Sequence, residues 1–143
     1  MLDRLDESTI AALVEGAREA ATRAYSPYSN FPVGAAVLTA QGAIVTGCNI
    51  ENASYGLTVC AERVAVWSAI KAGAGSIQAV AVVAPKGRGA TPCGACRQVL
   101  NEFRPADGDL IIVLDGEAGP EQIGLSALLP RAFGPRQLEP AEK

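Results

Sequence analysis

The segment IQAVAVVAP, residues 77–85, constrains the fold more than any other stretch of this sequence. Its residues are almost all apolar, and three of the nine are valines. A nearly continuous apolar run of this length predicts a β-strand that is buried on both faces, as in a sheet covered by helices on either side. We therefore expect a layered α/β domain.

The remaining predicted elements alternate between helices and strands. They are, in chain order, a helix over 8–24 capped by Ser8 or Thr9, a turn at 26–32 (SPYSNFP), a β-hairpin of 33–39 and 43–50, a helix over 59–73, the strand at 77–85, a helix over 92–103, a strand at 109–115, a helix over 125–133 and a frayed tail at 134–143. This order implies a mixed sheet with helices on both faces, in a single domain spanning 1–143.

Charge and composition limit the classes of partner. The 143-residue chain has a net charge of −3, a sequence pI of about 4.9 and no cluster of five basic residues. Proteins that bind polynucleotides or anionic membranes usually show a basic patch, so we expect a small-molecule substrate, with no nucleic acid and no membrane as partner. The polar, acidic start MLDRLDESTI predicts a cytoplasmic protein, whose thiols stay reduced.

The chain contains no histidine. A Ser-His-Asp triad, a Cys-His dyad and a histidine-ligated metal site are therefore excluded. Acid–base catalysis must use Asp, Glu, Lys, Tyr or Cys, and any metal site must be built from cysteines and carboxylates.

Three of the four cysteines lie at predicted helix starts. In TPCGACRQ, Thr91 suits the N-cap and Pro92 the first helical position, so that Cys93 and Cys96 share one face of the first two turns. Cys60 lies at another helix start. The positive end of a helix favours thiolate, and three converging thiolates with an open fourth position describe a catalytic zinc site.

Two other uses of the cysteines remain open from the residues alone. A CxxC pair can be a redox centre, although that motif does not need Cys60. Four cysteines can also form a closed structural zinc site, which would require Cys48; its strand-like surroundings, GCNI, favour a small buried apolar role instead. Glu62, two residues after Cys60, is either an acid that favours the helix dipole or a carboxylate that moves protons beside the metal, and the neighbouring cysteines favour the second role.

The halves CAE (60–62) and PCGAC (92–96) resemble the zinc-dependent nucleoside and nucleobase deaminases. With FPVGAAV, GCNIENASYG, CAER, PCGACRQVL and LLPRAF, the chain from about Tyr25 to Phe133 is similar to the small, homotetrameric cytidine deaminases. The resemblance implies a single-domain αβα layered fold with a mixed five-stranded sheet and one Zn²⁺ per subunit. It also implies hydrolysis of cytidine and 2′-deoxycytidine to the uridines and ammonia, in pyrimidine salvage.

The resemblance implies that Cys60, Cys93 and Cys96 are the zinc ligands and that Glu62 is the catalytic proton shuttle. It further assigns roles to the following residues: Asn49 and Glu51 hydrogen-bond the ribose hydroxyls, Phe31 packs against the pyrimidine, the backbone at Ala61 and Thr91 faces the base and the departing amine, Tyr55 lies at a subunit interface by the pocket, Phe133 enters a neighbouring subunit's site, and Arg63 hydrogen-bonds the thiolates. A carboxylate at position 51 would repel a phosphate, which favours a nucleoside over a nucleotide substrate.

Three thiolates leave zinc with a net negative charge that weakens its ability to acidify water. Arg63 and the two helix N-termini offset this charge, and Arg97 is either a second such group or a solvated or subunit-contacting arginine. Three rival functions stay open: a polynucleotide-editing deaminase, a non-enzymatic zinc module for protein binding, and a deaminase of a modified cytosine nucleoside. The first would show a basic groove, and the second a fourth zinc ligand.

Overall fold

The computed structural model describes residues 5–138. Residues 1–4 and 139–143, which include the end of the predicted frayed tail, lie outside the described residues. The elements are, in chain order, α1 (Glu7–Ala21), β1 (Gly34–Thr39), β2 (Ile44–Cys48), α2 (Ala61–Lys71), β3 (Ile77–Val83), α3 (Gly94–Glu102), β4 (Ile111–Gly116), β5 (Gly119–Gly124) and α4 (Leu125–Leu128), with 3-10 turns at Tyr55–Leu57 and Pro135–Leu138.

The five strands form one mixed sheet in the order β2-β1-β3-β4-β5. β3 and β4 are parallel, and the other neighbouring pairs are antiparallel. β3 is the central strand and is buried along its whole length except at Gln78. The predicted mixed α/β sheet, with the 77–85 run as its doubly buried strand, is therefore confirmed.

Each face of the sheet has its own apolar core. On one face, α1 contributes Leu13 and Ala17, which pack against side chains of β1, β3 and β4. On the other face, α2, α3 and α4 contribute residues such as Ala65, Leu100 and Leu125. The result is the three-layer αβα arrangement, with α2 and α3 side by side on the face that holds the cysteines.

Two glycines let the helices approach the sheet closely. A Cβ on Gly34 would lie 1.8 Å from the carbonyl oxygen of Ala17 in α1, and a Cβ on Gly47 would lie 2.5 Å from the amide nitrogen of Ala65 in α2. Both distances are far below van der Waals contact, so only glycine fits at either position. The close approach at Gly47 fixes α2, and with it Cys60, against the edge of the sheet.

The structure corrects several predicted boundaries. The cap of α1 is Asp6 rather than Ser8 or Thr9; its carboxylate accepts a hydrogen bond from the Thr9 amide at 2.7 Å. The helix predicted over 125–133 has only one turn and ends at Leu128, just before Pro130. A proline lacks the amide that would continue a helix, which accounts for the early end.

Strand β5 was not predicted from residue patterns, although the family resemblance requires a fifth strand. Its sequence, GPEQIG, has two glycines, a proline and a charge, and shows no apolar alternation. It pairs only with β4, through the turn at Gly116 and Gly119, and Pro120 is tolerated because the strand has one neighbour.

None of the helices within 5–138 is both long and apolar enough to cross a membrane.

Candidate metal centre and substrate pocket

Three cysteines meet where the starts of α2 and α3 lie side by side. Cys60 is the N-cap residue of α2, Cys93 is the N-cap residue of α3, and Cys96 lies in the first turn of α3. Their three Sγ atoms are all within 4.8 Å of one another, and the Sγ atoms of Cys60 and Cys93 are 4.0 Å apart. The structure thus brings together the three predicted ligands.

The start of α3 differs from the prediction in a way that frees a sulfur. Thr91 and Pro92 precede the helix, which begins at Gly94 with Cys93 as its cap. Neither Cys60 nor Cys93 uses its side chain to cap its own helix. Both sulfurs are therefore available as ligands, while the unpaired amides of the helix starts favour negative charge beside them.

The cluster fits a tetrahedral zinc ion. Zn–S bonds of about 2.3 Å require sulfurs about 3.8 Å apart, so the observed separations need a contraction of about 1 Å or less. Cys48 does not join the cluster: its thiol points to the carbonyl oxygen of Arg23 at 3.5 Å, and burial raises its pKa. Within residues 5–138 the group consists of three cysteines and does not include Cys48, which argues against the four-cysteine structural site.

The protonation of the thiols also indicates a cation site. The pKa of Cys60 is lowered to about 5, first because the Cys96 thiol donates a hydrogen bond to it and also because Arg63 lies beside it. The same pairing raises the pKa of Cys96, which burial raises further. Three adjacent thiolates repel one another, so without a cation they retain protons that a metal ion would displace.

Glu62 lies in the first turn of α2 and is 5% exposed. Its pKa is raised, mainly by burial and further by the negative charge of Cys60. A carboxylate that serves only the helix dipole would have no reason to be buried beside the cysteines. A raised pKa lets it both accept and release a proton.

Two arginines near the cluster differ in what they contact. The Arg63 guanidinium donates to Cys60 Sγ at 3.1 Å, as the predicted charge-offsetting role requires. Arg97 instead donates to the carbonyl oxygens of Pro92 and Leu128, at 2.7 and 2.8 Å, and to Thr91 Oγ1 at 3.1 Å. Arg97 therefore fixes the loop that precedes α3, and its thiolate-contacting alternative is not formed.

A second group of predicted residues surrounds the 26–32 turn. Asn49 Oδ1 accepts from the Val33 amide, and Asn49 Nδ2 donates to the Phe31 carbonyl, both at 2.9 Å. The Glu51 carboxylate accepts from the amides of Tyr28 and Ser29, at 2.9 and 3.1 Å, and from the Ser29 hydroxyl. These bonds lower the pKa of Glu51, the Ser29 hydroxyl most, so that it stays ionised.

The Glu51 side of this group adjoins the cysteine cluster through the backbone. The amide of Ile50 donates to the carbonyl of Val59 at 3.0 Å, and the amide of Val59 donates back at 2.9 Å. Since Val59 directly precedes Cys60, Asn49 and Glu51 lie beside the start of α2. Tyr55 is 73% exposed, and its ring packs edge-on against Tyr28 with centroids 5.8 Å apart.

The remaining predicted residues occupy different places. Ala61 is fully buried as the first residue of α2. Thr91 accepts from Arg97 through its hydroxyl, just before Cys93. Phe133 is 58% exposed, and its carbonyl accepts hydrogen bonds from Gln98 and Asn101 of α3, both at 3.0 Å.

Sequence patterns missed the residues that hold the 26–32 turn in place. Ser29 joins Glu51 to the turn, because its hydroxyl donates to that carboxylate and accepts from the Phe31 amide at 3.1 Å. Gly87 lies against the Phe31 ring, since a Cβ there would be 2.7 Å from Phe31 Cζ. These partners are 22 and 56 residues apart in the chain, so no local pattern could have connected them.

Comparisons with known proteins all lead to one family. A family model described as the cytidine and deoxycytidylate deaminase zinc-binding region matches residues 7–112. The cytidine deaminase of Halalkalibacterium halodurans is 49% identical over 122 residues, which cover 85% of this chain and 91% of that protein. The crystal structure of cytidine deaminase from Burkholderia pseudomallei matches with a TM-score of 0.78 and 47% identity, over 86% of this chain and 98% of that one. For cytidine deaminase from Mycobacterium tuberculosis, the TM-score is 0.74 and the identity 46%, over 87% and 96%.

Proposed function

The chain belongs to the cytidine and deoxycytidylate deaminase zinc-binding family, and on this premise we propose that it hydrolyses cytidine to uridine and ammonia. The observation that carries the proposal is the meeting of three cysteine sulfurs within 4.8 Å beside a buried glutamate. A closed structural site would not need that glutamate, and a redox pair would not need the third cysteine.

Cys60, Cys93 and Cys96 would hold one zinc ion. When bound, zinc supplies a Lewis acid that makes a water molecule acidic enough to act as a nucleophile near neutral pH. Arg63 supports this acidity because its guanidinium withdraws charge from the Cys60 sulfur, which it contacts at 3.1 Å.

Glu62 is the group that moves protons. It takes a proton from the attacking water and delivers it to the ring nitrogen next to the amine-bearing carbon. It then takes the remaining proton from the hydroxyl group that now sits on that carbon and passes it to the amino group, so that the carbon–nitrogen bond breaks, ammonia leaves and the carbonyl of uridine forms. Burial of this carboxylate supports the role, because a raised pKa brings its two protonation states closer in energy near the working pH.

Asn49 and Glu51 would bind the ribose hydroxyls, and Phe31 would pack against the pyrimidine. Both polar side chains are already oriented by the backbone of 28–33, yet each retains hydrogen-bonding capacity: a carboxylate offers about four lone-pair sites, and an amide two donors and two acceptors. Such pre-oriented groups bind a nucleoside without first losing side-chain freedom. The negative charge of Glu51 supports a nucleoside rather than a nucleotide as substrate.

The finer parts of the proposal rest on the resemblance. They are activity on 2′-deoxycytidine, a role in pyrimidine salvage, a cytoplasmic location, one domain over 1–143 and a homotetramer with sites at subunit interfaces. In that assembly Tyr55 would lie at the interface and Phe133 would reach a neighbouring site, which is supported by ring exposures of 73% and 58%. The backbone at Ala61 and Thr91 would face the base and the departing amine.

The first test is the ultraviolet absorbance of cytidine incubated with zinc-loaded protein, beside a chelator-stripped control. Loss of the cytidine band in the zinc-loaded sample alone is the expected result. An unchanged spectrum with one zinc bound per chain would overturn the proposal. Repeating the assay with 2′-deoxycytidine and with a cytosine-containing single-stranded oligonucleotide then defines the substrate range.

A further inference from the structure

The loop that follows β3 touches the 26–32 turn at two consecutive positions and is anchored at a third. The Lys86 ammonium donates to the carbonyl oxygen of Asn30 at 2.9 Å. Gly87 lies flat against the end of the Phe31 ring, where a Cβ would be 2.7 Å from Cζ and 3.1 Å from Cε2. Arg88 contacts the far side, at the end of β4.

On the side away from the 26–32 turn, the loop is held by hydrogen bonds to the ends of β3 and β4. The Arg88 guanidinium donates to the Gly116 carbonyl at 2.8 Å and to the Asp115 carboxylate at 3.2 Å. The Gly89 amide donates to the Asp115 carbonyl at 2.9 Å, and the Gly87 amide donates to the Ala84 carbonyl, also at 2.9 Å. Asp115 is itself 6% exposed. With the bond from Arg88 Nε to the Asp115 carbonyl at 3.2 Å, five hydrogen bonds tie the loop to the ends of β3 and β4.

The 26–32 turn, in contrast, is exposed and has an unusual backbone conformation. Phe31 is 37% exposed, and Asn30 before it adopts a left-handed backbone with φ of 55°. This conformation is uncommon for a residue other than glycine, and asparagine is among the few that tolerate it. The Lys86 bond to the Asn30 carbonyl helps to hold the turn in that conformation.

We propose that the Lys86–Gly87–Arg88 loop positions the Phe31 ring and that Gly87 sets the width of the pyrimidine pocket. Lys86 fixes the turn and Arg88 fixes the loop. Because Gly87 has no side chain, the Phe31 ring can lie directly against the backbone of the loop. The inference rests on the proposed function, in which Phe31 packs against the pyrimidine. Gly87 is therefore a specificity-determining position, and Lys86 and Arg88 are positioning residues.

Gly87→Ala isolates this effect. The backbone of Gly87 is not in the left-handed region, so alanine fits there without backbone strain and conflicts only with the ring. Because the loop is anchored, we expect the ring to move towards the pocket. A displaced ring stacks less well on the base, so we expect KM for cytidine to rise about tenfold while kcat changes less than about twofold. Zinc content should stay at one per chain.

Two controls separate ring displacement from general damage. Gly16→Ala makes the same chemical change in α1, where the added Cβ meets only ordinary contacts of 3.4 Å or more, and should leave KM unchanged. In a Phe31→Leu background, Gly87→Ala should add no further increase in KM, because the Cζ atom it would strike is gone. A double-mutant cycle over the four proteins measures this coupling.

Lys86→Met should raise KM less than Gly87→Ala, with exposed Lys71→Met as its control.

A readout independent of catalysis tests the geometry itself. The chain has three phenylalanines, so ring-labelled phenylalanine gives few NMR signals, and Phe31→Leu identifies that of Phe31. Gly87→Ala should shift the Phe31 signal and leave the other two in place. An unshifted Phe31 signal, or an unchanged KM in an active Gly87→Ala protein, would overturn the inference. A wild-type protein that binds zinc but does not deaminate cytidine would instead contradict the proposed function, and with it the pyrimidine part of this inference.

Discussion

The cysteine cluster and the 26–32 turn are neighbours in the molecule, but they are built in different ways. The cluster lies at the starts of two helices that pack on the sheet, so each of its residues is placed by a helix N-terminus. The turn is irregular and exposed, and it is held by single side chains that reach it from distant segments. In the proposed function, chemistry is thus placed on the starts of helices and substrate recognition on a loop.

The contrast teaches how each region should respond to substitution. Removal of a group from the cluster abolishes a function, because the remaining groups cannot replace it. Removal of a group from the turn changes affinity, because several independent contacts share the same task. The following substitutions test this distinction, from the largest expected effect to the smallest.

Cys96→Ser should have the largest effect. Loss of a buried ligand leaves two sulfurs, too few for tight zinc binding, so zinc content should fall from one per chain towards zero and turnover should vanish. Zinc is measured by atomic absorption on the purified protein. Cys48→Ser is the matched control, since its sulfur lies outside the cluster, and it should keep both metal and activity. A Cys96→Ser protein with full zinc would show that the cluster is not the metal site.

Glu62→Gln should retain zinc and lose turnover by about 10²- to 10⁴-fold, because an amide cannot carry the transferred proton. Steady-state kinetics and zinc content, measured on the same sample, check both halves of this expectation. Glu15→Gln, an exposed position on α1, serves as the control for the loss of one negative charge. Near-normal turnover in Glu62→Gln would contradict the proposed mechanism.

Glu51→Ala should raise KM by about 10- to 100-fold with zinc unchanged. A hydrogen bond to a charged group contributes about 1.5–3 kcal/mol, and this change also removes the acceptor of three donors in the 26–32 turn. Titration with uridine by calorimetry should show a matching loss of affinity. If kcat fell and KM stayed constant, Glu51 would belong to the chemistry instead, and the proposed division between the two regions would be wrong.

Ser29→Ala should have a smaller effect of the same kind, raising KM about two- to tenfold. It removes one donor from the Glu51 carboxylate and one acceptor from the Phe31 amide. Because the Tyr28 and Ser29 amides still hold Glu51, only part of the energy of these bonds, about 1 kcal/mol, should be lost from substrate binding. Ser68→Ala, on the exposed side of α2, is the control. Equal KM values for the two variants would mean that Glu51 and Phe31 are held without Ser29.

The same contrast explains what could be predicted from the sequence. Cys93 and Cys96 are three residues apart at a helix start, and the central strand is one apolar run, so both are local patterns with a direct structural meaning. β5 has no such pattern, because its pairing depends on β4 and its residues suit any turn. The bonds from Ser29 to Glu51 and from Lys86 to Asn30 depend on tertiary structure alone. Roles for Asn49, Phe31 and Phe133 came from the resemblance, and they remain proposals.

The position of the cysteines has a consequence for how the chain stays folded. Residues 60 and 93 are 33 positions apart and lie at the starts of different helices. A metal ion bound by both would therefore cross-link the ends of the segment that contains β3. In the chain-entropy model, a cross-link of that length disfavours the unfolded state by about 4 kcal/mol. The ion would then cross-link the starts of α2 and α3. Loss of the metal would therefore make the protein more susceptible to proteolysis, as well as stopping the reaction.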